Sequence, residues 1–106
     1  MPKVISTRRC PLLLIERVNW RSAAFADLAR IIAHIRTENP IAARRVGREI
    51  LLAGDSLDIF PHRGRRGRIA GTRELVAVAP YIIVYEVTDA TAVTILRVWY
   101  SAQDRP

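Results

Sequence analysis

The sequence predicts an α+β domain of order β-α-α-β-β-β, a helical hairpin packed on a small, mainly antiparallel four-stranded sheet. Two stretches of apolar residues at helical spacing lie between residues 23 and 57, on either side of Asn39-Pro40. TRELVAV, YIIVYEV and VTILRVWY then follow, rich in β-branched and aromatic residues and joined by connections short enough for hairpins. One further apolar run, LLLIERV, precedes the helices and needs strand partners.

Residues 1–11 show no periodicity and read as an N-terminal arm outside the core, which leaves residues 12–106 as the domain. Residues 12–18 form the first predicted strand, and Asn19, Trp20 and Arg21 lead into a helix. Ser22 is a suitable N-cap because its hydroxyl can accept a bond from a first-turn N–H, and Asp27 lies toward the positive end of the helix dipole. The first helix covers residues 23–38, with Phe25, Leu28, Ile31, Ile32 and Ile35 on one stripe. Asn39 ends it, because proline disfavours helix in the residue before it. Asn39 can then cap the second helix, for which Pro40 is a good first residue. That helix covers residues 40–57, with a seam of Ala43, Val46, Ile50, Ala53 and Leu57. Residues 61–71 carry no apolar period and read as the one long loop. Thr72–Val78, Tyr81–Val87 and Val93–Tyr100 complete an antiparallel meander.

The chain has 106 residues, enough for one domain. Its 17 basic residues outnumber 10 acidic ones for a net charge of +7, which favours a polyanionic or acidic partner. Every basic residue except Lys3 is arginine, so a cationic catalyst here is an arginine, a histidine or Lys3. Cys10 stands alone, which excludes a disulfide framework within the chain and suits a reducing, cytoplasmic setting. No run approaches membrane-spanning length, and LLLI is too short for the core of a signal peptide. His34 and His62 have no ligand spacing with acids or Cys10, so neither a metal nor a cofactor is implied. His34, beside an apolar stripe, reads as a packed or half-exposed structural residue.

Candidate site residues collect in the second half. FPHRGRRGRIAGTREL holds five arginines and no acid between Asp58 and Glu74. Arg63, Arg65, Arg66 and Arg68 in it are candidates for contact with a phosphate or a target protein, and a solvated connector is an equal alternative. Arg97 interrupts an apolar strand, where a cation is costly unless paired or functional. Strict alternation places it with Val93, Ile95 and Trp99 on one face. Glu74 and Glu86 are the candidate partners if its role is structural. Arg73 and Tyr100 complete the set.

The stretch GTRELVAVAPYIIVYEVTDATAVTILRVWYSAQDRP closely resembles the C-terminal half of the RelE/ParE family of bacterial toxins. The helix residues Ala24, Asp27-Leu28, Ile31, Ile35, Asn39-Pro40 and Ala42-Ala43, and the FPHRGR join, resemble the same family in the same order. The resemblance implies the fold derived above and the toxic half of a type II toxin–antitoxin pair. It also implies a cognate antitoxin with an acidic, partly disordered segment, in a hetero-oligomer with the toxin.

The family divides by target. RelE-like members cut mRNA in the ribosome, and ParE-like members poison DNA gyrase. RNA cleavage requires an activated 2′-oxygen, stabilised phosphate charge and a proton for the leaving oxygen. In the nuclease reading, Arg73, Arg97 and Tyr100 are the catalytic candidates. Yet Ile82 stands where RelE has an arginine, and Arg73 and Leu75 stand where it has lysines. Tyr100 stands where many relatives have histidine, and a phenol of pKa ~10 is a poor base at neutral pH. The resemblance thus points to ParE-like gyrase inhibition, with ribosome-dependent mRNA cleavage as the alternative.

Overall fold

The structure is a computed structural model that describes residues 18–88 and 92–100. The proposed arm and residues 12–17 of the first predicted strand lie outside the described residues. The elements run β1 (Val18–Trp20), α1 (Ser22–Arg36), α2 (Pro40–Asp55), a 3₁₀ turn (Ser56–Asp58), β2 (Arg65–Arg66), β3 (Thr72–Val78), β4 (Tyr81–Val87) and β5 (Val93–Tyr100). They form an α+β fold with a five-stranded sheet in the order β1-β5-β4-β3-β2. The sheet is antiparallel except for the β1–β5 pair.

Local chemistry accounts for the helix boundaries. Asn39 caps α2, its Oδ1 accepting from the Ala42 N–H at 3.0 Å, and Pro40 begins the helix. At α1 the expected Ser22 cap is replaced. Strand β1 extends through Trp20, so Arg21 takes the cap position without a side-chain bond and Ser22 is already helical. Asp27 falls beyond the first turn, too far along α1 to balance the helix dipole, and bonds to β5 instead.

The core lies between the helical hairpin and one face of the sheet. Ala24 and Leu28 of α1 and Val46 and Ile50 of α2 meet Leu57, Leu75, Ile83, Tyr85, Ile95 and Val98. Each large aliphatic side chain removed from water here contributes about 1.5–3 kcal/mol. Phe25, expected on the buried stripe, is half exposed and stacks on Trp20 with ring centroids 5.4 Å apart.

Two differences from the sequence expectation position the site. The segment 61–71 is not a plain loop, because Arg65–Arg66 form β2, pairing with Glu74 and Arg73. A register irregularity near Leu96 also breaks the alternation of β5, with Tyr85 opposite Ile95 and Val84 opposite Arg97. Val93, Ile95 and Val98 are therefore buried while Arg97 turns outward, so Arg97 does not share the face of Ile95. No described helix is long and apolar enough to cross a membrane.

Helix α2 approaches β1 and β5 at Gly54. A Cβ there would lie 2.5 Å from the Trp20 ring and 3.0 Å from Ile95 Cδ1. Gly54→Ala is expected to destabilise the fold by about 1 kcal/mol or more, since overpacking outweighs the ~1 kcal/mol gain in helix propensity. Gly47→Ala meets only the tip of the Ile32 side chain and should be near neutral. Urea denaturation midpoints of the two variants check the contrast.

Candidate functional site

Strand β1 ends at Trp20, opposite Ile95, and the chain turns into α1. Beyond that point β5 has no strand partner on this side among the described residues. Asp27 of α1 fills the place. Its Oδ2 accepts from the Val98 backbone N–H at 3.0 Å and from Arg97 Nε at 2.7 Å, and its Oδ1 accepts from Arg97 Nη2 at 2.9 Å. Arg30 Nη2 adds a bond at 2.6 Å to Oδ1. The carboxylate is buried, whereas the Arg97 and Arg30 side chains are 44% and 68% exposed.

Burial alone would raise the Asp27 pKa. The hydrogen bonds from Arg97 and Val98 and the charges of Arg97 and Arg30 outweigh it and hold the carboxyl below its ordinary value. The Arg97 guanidinium is raised, mainly by the same hydrogen bond to Asp27. Arg97 is thus a paired residue, but its partner is Asp27 rather than Glu74 or Glu86. Glu74 is buried and engaged by Arg65, whose Nη2 and Nε donate at 3.1 and 3.3 Å.

Around this pair a groove of about 660 Å³ opens between α1 and the end of the sheet, lined by Arg30, His34, Tyr81, Arg97, Trp99 and Tyr100 among others. Tyr81 and Tyr100 are cross-strand neighbours with ring centroids 5.6 Å apart. Burial, and then the neighbouring Tyr100, raise the Tyr81 pKa, so Tyr81 stays a neutral phenol at pH 7. His34 is exposed on the groove wall and not packed in the core.

Arg73 is not part of this groove. It lines a second pocket with His62, Arg66 and Arg68. Its Nη1 donates to the Gly64 carbonyl at 2.7 Å and to the His62 carbonyl at 3.2 Å. The segment carrying these residues is held by Tyr85, whose buried hydroxyl donates to the Pro61 carbonyl at 2.8 Å and accepts from the Gly64 N–H at 2.9 Å. Burial raises the Tyr85 pKa and keeps that donor protonated. Arg63 donates to Ser56 Oγ at 2.8 Å. The stretch is therefore a hairpin pinned by these bonds, with its arginine side chains exposed, and the arginines divide by task. Arg63 and Arg65 fasten it, and Arg66 and Arg68 line its pocket.

Asp27 and Tyr85 were not among the sequence-predicted site residues. A signal existed for each. Asp27 falls between Ala24, Leu28 and Ile31 on the buried face of α1, where a carboxylate needs a partner. Tyr85 shares alternation with Tyr81 and Ile83. Neither pattern names the partner. Among the described residues, no group of three His, Cys, Asp or Glu side chains could hold a metal ion.

Known proteins resemble this chain in sequence and fold. A family model described as the ParE toxin of the type II toxin–antitoxin system parDE matches residues 18–105. The chain is 41% identical over 89 residues to a toxin named RelE2 from Caulobacter vibrioides, covering 84% of this chain and 99% of that protein. It is 42% identical over 92 residues to the putative toxin Y4kP of Sinorhizobium fredii, covering 86% and 94%. Among solved structures, a chromosomal ParDE toxin–antitoxin system from P. aeruginosa superposes with a TM-score of 0.67 at 25% identity, covering 76% of this chain and 90% of that one.

Two outcomes are expected from the anchors. Because the folded Asp27 pKa lies below its unfolded value, its contribution is complete above about pH 4 and fades as pH falls through the folded pKa. Asp27→Asn should cost about 2 kcal/mol at pH 7, less than a fully buried pair because Arg97 keeps water contact. It should also flatten the acid limb of the stability profile, measured by urea unfolding from neutral to acid pH. Tyr85→Phe leaves the Gly64 N–H and Pro61 carbonyl without their partner and should cost about 1–3 kcal/mol. Faster amide exchange confined to residues 62–64 would report it.

Proposed function

Since the chain belongs to the ParE family of type II toxin–antitoxin toxins, we propose that it acts by docking on DNA gyrase and not by cutting RNA. The observation that carries this reading is the dispersal of the nuclease set. Phosphate-charge stabilisation needs a cation aimed at the scissile group. Here Arg97 is committed to the buried Asp27 carboxylate, and Arg73 lines a different pocket, fastened to loop carbonyls. Of the three candidates only Tyr100 remains with Arg97 in the groove, and its neighbour Tyr81 is a neutral phenol.

The same groove suits protein docking. Arg30, Tyr81, Trp99 and Tyr100 are of the residue types that dominate protein interfaces, because each offers large area together with a directed polar group. A cognate antitoxin is the second partner in this proposal. The net charge of +7 favours an acidic segment, and the exposed Leu52, Ile59 and Phe60 offer apolar contact at the end of α2. Residues 12–106 act as the toxin domain in this reading. The competing reading, ribosome-dependent mRNA cleavage, is favoured by the presence of His34 and Tyr100 in one groove and by the 41% identity to a protein named toxin RelE2.

Substitution at Tyr100 separates the two. Docking uses the ring, so Tyr100→Phe should keep inhibition of gyrase supercoiling, while Tyr100→Ala should weaken it about tenfold or more. Catalysis would use the hydroxyl, so Tyr100→Phe would then abolish cleavage. Supercoiling gels with purified gyrase, beside primer extension on ribosome-bound transcripts, measure both. Cleaved transcripts with unaffected gyrase would overturn the proposal.

A further inference from the structure

We propose that the pocket formed by the β2–β3 hairpin is a phosphodiester-binding site, which grips a nucleic-acid backbone without reading its bases. It lies apart from the α1–β5 groove and is a second function beside gyrase docking. The pocket has a volume of about 570 Å³, and His62, Arg66, Arg68 and Arg73 converge on it around Gly67 and Gly71.

The pocket is built by the fold. The Gly67 N–H donates to the Thr72 carbonyl at 2.8 Å, and the Thr72 N–H and hydroxyl both donate to the Ile69 carbonyl, at 3.0 and 2.7 Å. Gly71 has φ +88°, in the left-handed region that glycine adopts freely. A Cβ on Gly67 would lie 2.3 Å from Thr72 Oγ1, so the close crossing of the two strands requires glycine.

Arg73 is the central observation. One nitrogen, Nη1, makes both of its bonds to the Gly64 and His62 carbonyls. Its Nε and Nη2 make no hydrogen bond among the described residues. That side of a guanidinium is a planar two-donor edge that matches two oxygens of a phosphate. Its orientation is set before any ligand arrives, which lowers the ordering cost of binding. Arg66, exposed on the edge strand, supplies a second fork.

Among the described lining residues the charge is of one sign. No carboxylate is among the described lining residues. Glu86 is opposite Thr72 in the ladder but does not line the pocket, and Glu74 is held by Arg65. No tyrosine, tryptophan or phenylalanine lines it either, so bases have no stacking platform. A phosphate backbone, which asks for forks and charge, fits the convergence of His62, Arg66 and Arg73, whereas Ile69, Ala70 and Val87 add only a small apolar strip that an acidic protein segment could bury.

The test is fluorescence anisotropy of the full-length chain with short labelled duplex DNA and single-stranded RNA, titrated across salt. Arg66→Gln should reduce the slope of log affinity against log salt by about one on duplex DNA, at ~0.9 for each phosphate no longer neutralised, and somewhat less on RNA. Arg44→Gln, exposed on α2 with the same charge change, should leave the slope nearly unchanged. A change on either probe supports the site, and the tighter probe identifies its source. Equal losses in the two variants, or no binding by the parent chain at low salt, would overturn it. So would displacement of the nucleic acid by polyglutamate at equal charge concentration, which would assign the pocket to an acidic protein partner.

Discussion

The arrangement of this domain depends on one carboxylate. Among the described residues strand β1 spans Val18–Trp20 and covers only the start of β5. The rest of that edge would expose backbone groups beside a packed helix. Asp27 supplies the missing acceptor at Val98 and holds Arg97 in a bidentate pair. A helix, a strand edge and a cation are thereby tied at one point. The pair is half wet, because Arg97 remains 44% exposed. Its main effect is therefore to fix the distance and orientation of α1 against the sheet, more than to add net stability. The groove bordered by His34, Tyr81 and Tyr100 takes its shape from that spacing.

Tyr85 of β4 does the corresponding work toward the other edge of the sheet. Its hydroxyl satisfies a donor and an acceptor of the 61–64 segment from within the core. A hydroxyl buried this deeply costs free energy unless it is paired on both counts, so the segment and the side chain hold each other in place. With the segment pinned, the arginines that follow have defined partners. Arg65 turns to Glu74, Arg63 to Ser56 and Arg73 to two carbonyls, and Arg66 and Arg68 line the pocket beside them. A run that is uniformly basic in sequence thus becomes a fastened frame around a basic pocket.

The two anchors also place the cations in separate neighbourhoods. Arg97 belongs to the groove and Arg73 to the hairpin pocket, although both are strand residues and both looked alike as candidates for phosphate stabilisation. A fold shared between toxins of different targets can be altered at one neighbourhood without disturbing the other, because each has its own structural fastening. Family membership accordingly says less about chemistry than the partners of individual side chains do.

The helices and the three-strand meander were legible in the sequence because each depends on local periodicity. The seam Ala43–Val46–Ile50–Leu57 and the Asn39-Pro40 break need no knowledge of a distant residue. The ordered motifs likewise sufficed for the toxin family. What only the tertiary structure decided are choices between distant partners. Arg97 had two candidate acids on the sheet, Glu74 and Glu86, and the early end of β1 selected instead Asp27 of α1, 70 positions away. The irregularity at Leu96 reversed the outward face of Arg97, and strict alternation cannot anticipate an inserted residue. Strand β2 is two residues long and carries no apolar pattern, because its pairing is enforced by Tyr85 and Glu74 rather than by its own burial. Local periodicity records which face of an element is dry. It does not record which of several equivalent charges will meet.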